Sequence, residues 1–148
     1  MNINLKIKKM REGAVIPKRA TEGSAGMDLC ACITEPITLE PLGRAVIPSG
    51  IAIELPDNGC VAYICARSGL GIKHGITLSN SIGVIDSDYR GEIAVGLVNL
   101  SDKAYTLSPG ERIAQMIISP VLIPVVQEVD ELGDTVRGDG GFGSTGRI

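Results

Sequence analysis

The chain has no tryptophan, a single phenylalanine and a single histidine, and only three tyrosines. With so few aromatics, and 44% of its residues apolar, its interior has to be built from Ile, Val, Leu and Ala. One histidine, His74, gives a zinc site little to work with. The four cysteines, Cys30, Cys32, Cys60 and Cys65, are spaced C-x-C and C-x4-C, which does not match the usual zinc patterns. They sit in apolar stretches and read as reduced core thiols. No apolar run is long enough to span a bilayer, since the longest, Met116 to Val126, is broken by Ser119, Pro120 and Pro124. The N-terminus lacks the apolar run of a secretory signal, so the expected location is cytoplasmic. A dense cationic surface is missing too: net charge is −3 and the pI about 5.1. That excludes sequence-independent binding to a nucleic-acid polymer but leaves a small anionic ligand open.

Glycine and proline are plentiful, at 19 and 8 residues. They punctuate short apolar runs at 2–8, 45–47, 51–55, 61–65, 75–78, 93–100, 104–107 and 112–121. Turn signals lie between them, such as Pro41-Leu42-Gly43, Pro48-Ser49-Gly50 and Ser108-Pro109-Gly110. Helical periodicity is nowhere sustained, and 68–74 is the one place for a short helical turn. Closely spaced strands without long helices predict an all-β sandwich, jelly roll or barrel. The expected organisation is one β domain with a C-terminal arm over 1–136 and a mobile glycine-rich tail over 137–148. After Pro124 the pattern decays into an acidic arm, and arms that cannot pack on their own domain often pack on a neighbouring subunit.

Five stretches carry possible chemistry. The tail, Arg137 to Gly146, is half glycine and holds the only phenylalanine, Phe142. Its ring is free to stack on a flat partner, its glycines free N–H groups to curl round an anion, and Arg137, Ser144 and Thr145 add phosphate donors. It also reads as a disordered tail with one stray aromatic. At 83–92, Val84-Ile85 runs into Asp86-Ser87-Asp88 and leaves through Tyr89-Arg90-Gly91, the pattern of a β-hairpin with a wide end. Asn80 just before it matches the edge of a pyrimidine, Tyr89 offers a face to a sugar, and Asp86 is a competent general base. The same residues also make an ordinary turn. Arg67-Ser68-Gly69 after a strand suits phosphate, although surface turns of this composition are common. Asp28, between small and apolar residues, needs an arginine or a metal's water shell as partner. Gln115 is the one uncharged polar residue in an apolar strand and either reaches a ligand or satisfies a backbone group.

Taken in order, from Ala25 to Gly146, these stretches resemble the five motifs of the trimeric dUTPases. Gly-Val-Ile-Asp-Ser-Asp-Tyr-Arg-Gly-Glu at 83–92 and Gly-Gly-Phe-Gly-Ser-Thr-Gly at 140–146 carry most of the specificity. Ala66 stands where the family often has proline, and Met27 where tyrosine or leucine is common. The resemblance implies a jelly-roll-like β-clip subunit in a threefold homotrimer with sites shared between subunits. It implies hydrolysis of dUTP to dUMP and pyrophosphate with Mg²⁺, which limits uracil in DNA and supplies dUMP for dTMP synthesis. Under it, Asp86 activates the water that attacks the α-phosphorus. Asn80 and the backbone of Gly83, Val84 and Ile85 read uracil, and Tyr89 lies under the deoxyribose and excludes a 2′-hydroxyl. Arg67, Ser68 and Gly69 hold phosphates, Gln115 supports the α-phosphate region, and Asp28 anchors waters around the magnesium. In the tail, Arg137, Ser144 and Thr145 take the γ-phosphate, Phe142 stacks on uracil, and Gly143 belongs to the same closing segment. Two other readings remain: a dCTP deaminase of the same fold, which ammonia release from dCTP would reveal, and a non-catalytic dUTP-binding regulator.

Overall fold

The computed structural model describes residues 3–141. Its strands are short because glycine and proline interrupt every apolar run, and all of their pairings are antiparallel. In chain order they are β1 (Lys6–Lys9), β2 (Met27–Cys30), β3 (Ile37–Leu39), β4 (Arg44–Pro48), β5 (Ile51–Glu54), β6 (Cys60–Ala66), β7 (Ile76–Leu78), β8 (Gly83–Ile85), β9 (Ala94–Asn99), β10 (Tyr105–Leu107) and β11 (Arg112–Pro120). The one helix, α1 (Ser68–His74), follows β6. It stops at Gly75, whose φ of 69° lets its N–H return to the carbonyls of Leu70 and Gly71. The all-β expectation and the short helical turn both hold.

A four-stranded sheet runs β2-β11-β6-β8 and a three-stranded sheet runs β4-β9-β7, while β1-β5 and β10-β3 form two-stranded ribbons. The core between them is aliphatic, as the shortage of aromatics requires. Leu29, Leu39, Ile47, Ile51, Ile76, Ile93, Leu97, Leu107, Ile113 and Met116 are all fully buried. Each such side chain contributes about 2 kcal/mol by leaving water. No helix among the described residues is long and apolar enough to cross a membrane.

The structure departs from the sequence reading in four places. β2 and β3 were not legible as strands: β3 is three residues long after Pro36, and β2 is held by long-range pairing to β11. The first strand is Lys6–Lys9, later than the alternation at 2–8 predicts, and Ile3 is exposed while Leu5 and Ile7 pack on the core. The stretch at 83–93 is not a ladder-paired hairpin. β8 pairs with β6 and β9 with β4 and β7, so the chain crosses from one sheet to the other through Asp86–Gly91. Finally, the cysteines are free, as expected, but all four are only half-buried.

Gly50 ties several of these pieces together. It has a φ of 74°, and a Cβ there would lie 2.7 Å from both the Ala14 Cβ and the Cys32 Sγ. Gly50→Ala is therefore expected to destabilise the fold by about 1–3 kcal/mol, read as a lower denaturation midpoint. A midpoint equal to that of the parent protein would refute it.

Candidate active site

The first cluster of candidate residues forms at the end of β6. β11 lies between β2 and β6, and in that register Gln115 is opposite Asp28 on one side and Cys65 on the other. Arg67, in extended backbone, carries the chain from β6 into α1. A cleft of about 310 Å³ results, bordered by Asp28, Arg67, Ser68, Gly69, Arg112 and Gln115. Gln115 donates its Nε2 to the Ala66 carbonyl at 3.1 Å, which leaves its Oε1 toward Gly26. A Cβ at Gly26 would come within 2.7 Å of that Oε1, so the glycine keeps room for the amide.

Asp28 finds arginine partners. Its Oδ1 accepts from Arg67 Nε at 3.1 Å and its Oδ2 from Arg112 Nη1 at 3.0 Å. Arg67 Nη1 also donates to the Arg112 carbonyl at 3.1 Å. Two cations around one carboxylate leave a surplus of positive charge facing the cleft, which suits a phosphate chain. Arg112 was not among the residues the sequence pointed to. It sits at a register irregularity of β11, and no local pattern announces a partner 84 positions away. The turn that delivers it is clasped by Glu111, which accepts from the Ser108 N–H at 2.9 Å and from the Tyr105 hydroxyl. Burial, reinforced by Glu111, pushes the Tyr105 phenol up to about 12, so it is a donor at neutral pH. Burial and the nearby Asp28 charge push the Cys30 thiol up, which makes it a poor nucleophile.

The second cluster lies along β8. Only one edge of β8 is in a ladder, with Gly83 opposite Ile64 and Ile85 opposite Ala62. Gly83 is seated so closely on Ile64 that a Cβ there would approach its Cβ to 2.9 Å. β8 and Asn80 also border a cleft of about 130 Å³, together with Ile64, Ala94 and Gly96. Unpaired strand backbone beside an amide side chain can hydrogen-bond a planar heterocycle. An adjoining cleft of about 240 Å³ is bordered by Val84, Ile85, Asp86, Tyr89 and Glu92. Asp86 and Tyr89 are exposed on the crossing turn. The turn closes with the Tyr89 N–H donating to the Asp86 carbonyl at 3.1 Å, and Arg90 caps it by donating to the Ser87 and Tyr89 carbonyls.

The structure thus brings Asp28, Arg67, Ser68, Gly69 and Gln115 to one cleft and Asn80, Gly83, Val84, Ile85, Asp86 and Tyr89 to an adjoining pair. Among the described residues these two groups border separate clefts. Arg137 joins neither: it is exposed just past the arm, where its Nε donates to the Gly140 carbonyl at 2.8 Å. Phe142, Gly143, Ser144 and Thr145 lie outside the described residues.

Comparison with known proteins matches these observations. The dUTPase family model matches residues 12–146. The deoxyuridine 5′-triphosphate nucleotidohydrolase of Hahella chejuensis is 52% identical over 139 residues, covering 94% of this chain and 91% of the relative. That of Burkholderia cenocepacia is 49% identical over 147 residues, covering 99% of each. Among solved structures, a Staphylococcus bacteriophage 80alpha dUTPase with dUPNHPP superposes with a TM-score of 0.87 at 29% identity, covering 97% of this chain and 98% of that one. In sequence and in fold alike, the chain belongs to the dUTPase family.

Proposed function

We propose that the protein hydrolyses dUTP to dUMP and pyrophosphate, so limiting uracil in DNA and supplying dUMP for dTMP synthesis. The observation that carries this reading is the unpaired edge of β8 beside Asn80, with Asp86 and Tyr89 on the cleft next to it. Uracil offers an imide N–H and two carbonyls, which the Asn80 amide and the β8 backbone complement. Tyr89 lies under the deoxyribose. The Asp86 carboxylate orients a water and takes its proton as the oxygen bonds to the α-phosphorus. The bond from that phosphorus to the α,β-bridging oxygen breaks, and pyrophosphate leaves with the electron pair. Arg67, Ser68, Gly69 and Gln115 hold the phosphates.

The residues fit a magnesium ion only in an outer role. Among the described residues no group of three or more His, Cys, Asp or Glu side chains could hold a metal. Both Asp28 oxygens already accept an arginine N–H, yet each retains a lone pair for a water. This donor set suits Mg²⁺ carried by the substrate's phosphates and its own waters, which Asp28 anchors. Bound there, the ion neutralises charge on the triphosphate.

The separation of the phosphate cleft from the β8 clefts supports a site completed between subunits of a homotrimer. So does the arm at 121–136, where Leu122, Val125, Val126 and Leu132 are almost fully exposed on a single chain. Stretches of apolar surface left in water mark an interface. The arm then carries Arg137, Phe142, Gly143, Ser144 and Thr145 to a neighbour's site. Pyrophosphate release from dUTP, dTTP, dCTP and UTP, measured side by side, tests the activity. The expected result is strong preference for dUTP. Ammonia from dCTP, or equal rates on dTTP, would overturn the reading.

A further inference from the structure

The cleft that holds Asp86 and Tyr89 is tied to the rest of the molecule through Glu92 and the peptide unit after it, whose partners Arg11, Gly50 and Ile51 lie outside the motif stretches. Tyr89 is placed by two groups. Gly91 lies so close beneath its ring that any Cβ there would overlap the phenol. Its hydroxyl donates to the Glu92 carbonyl at 3.1 Å. That carbonyl belongs to the peptide unit joining Glu92 to Ile93, whose N–H donates to the Ile51 carbonyl at 2.8 Å. The next carbonyl, that of Ile93, is taken by Ser49 through both its N–H and its hydroxyl. The downstream side of the peptide unit is therefore gripped by the turn between β4 and β5.

The upstream side depends on the Glu92 carboxylate. Both of its oxygens accept from Arg11 Nε, at 2.7 and 2.9 Å, and Oε1 also accepts from the Gly50 N–H at 2.9 Å. Arg11 comes from the N-terminal segment, 81 positions away, and lies outside every motif stretch. The Arg11 bond holds the Glu92 carboxyl below the usual carboxylate range, so it is ionised at neutral pH. A loose carboxylate here would sit at the edge of a cleft that already contains Asp86, where a polyphosphate is to approach. Arg11 neutralises it and holds it toward Gly50.

We propose that Arg11 and Glu92 form a brace that positions Tyr89, making both residues positioning residues for sugar discrimination. The proposal rests on the reading that Tyr89 lies under the deoxyribose. Without the brace, the Glu92 carbonyl shifts, the phenol loses its anchor, and the ring no longer closes the space a 2′-hydroxyl would occupy.

The test uses the intact, assembled protein and compares kcat/KM for dUTP and UTP. Glu92→Gln keeps an acceptor for Gly50 but loses the ion pair, and Arg11→Met removes the cation. Each is expected to lower the dUTP-to-UTP preference by roughly tenfold, a displacement of well under 1 Å being enough. Arg11→Lys, which restores a cation within reach, is expected to recover much of it, and carries the test if Arg11→Met does not assemble. Tyr89→Phe is expected to mimic the loss, and combining it with Arg11→Met to add little. A lower melting temperature with unchanged preference would mean that the pair is only a structural staple, and the proposal fails. So does it if the effects of Tyr89→Phe and Arg11→Met multiply, because the brace then acts elsewhere. Tyr89→Ala separates the two layers. If it relaxes the preference while the brace variants do not, the brace alone is wrong. If it leaves the preference intact, the sugar reading falls and takes the brace with it.

Discussion

Replacing Asp86 with asparagine is expected to lower dUTP turnover by at least roughly a hundredfold while leaving nucleotide affinity nearly intact. The two side chains have nearly the same shape, but a carboxamide does not accept a proton from water at neutral pH. The turn should survive the change, because what closes it is the Asp86 main-chain carbonyl, which takes the Tyr89 N–H at 3.1 Å. The carboxylate itself is exposed on the wall of the cleft it shares with Tyr89, so the substitution leaves no buried polar group unsatisfied. Loss of a group that acts only as the water is activated appears in kcat and spares binding. Steady-state kinetics and calorimetric titration with a slowly hydrolysed dUTP analogue separate the two quantities. Turnover at the parent rate would remove Asp86 from the mechanism. Equal loss of affinity and rate would recast it as a substrate contact.

What could be read from the sequence was whatever is local. Turn chemistry at Pro48-Ser49-Gly50 and Ser108-Pro109-Gly110, alternation within single strands and an aliphatic core all follow from neighbouring residue types, and all appear in the fold. The individual site stretches were weak one by one and became specific only through their order along the chain. What escaped depends on partners far apart in sequence. Val84-Ile85 beside Asp86-Ser87-Asp88 has every local mark of a hairpin, yet β8 takes β6 as its partner, with Gly83 seated where a Cβ would come to 2.9 Å from the Ile64 Cβ. Asp28 was seen to need a counter-charge. That the counter-charges are Arg67 and Arg112, 39 and 84 positions away, is decided by β2 and β6 flanking β11. Glu92 closes the stretch at 83–92, but nothing local showed what it does, since its partner Arg11 and the Gly50 N–H meet it only once the sheets are packed.

Ending the chain after Val136 is expected to leave a folded oligomer of nearly unchanged thermal stability and to lower dUTP turnover by roughly a hundredfold or more. Stability should hold because, among the described residues, the buried core contains nothing beyond Met116. Arg137 to Asp139 are exposed, so their deletion removes no buried contact. Turnover is another matter. Half of the residues from Arg137 to Gly146 are glycine, and fixing each residue costs about 1–2 kcal/mol of backbone entropy. Under the proposed function, ligand contacts would offset that cost, with Phe142 stacked on uracil and Arg137, Ser144 and Thr145 on the γ-phosphate. The tail should therefore order with nucleotide, Mg²⁺ and an intact triphosphate, and close the site against water. Phe142→Ala is expected to fall between parent and truncation, because the phosphate contacts survive it. Subunit exchange then asks whose site the tail closes. Truncated chains keep Asp86 and lack a tail; full-length Asp86→Asn chains have a tail and lack the base. If the exposed arm delivers the tail across subunits, mixing the two inactive proteins restores activity in some mixed trimers. Activity that stays absent after mass spectrometry has verified exchange would mean that the tail serves its own subunit's Asp86, or no site at all.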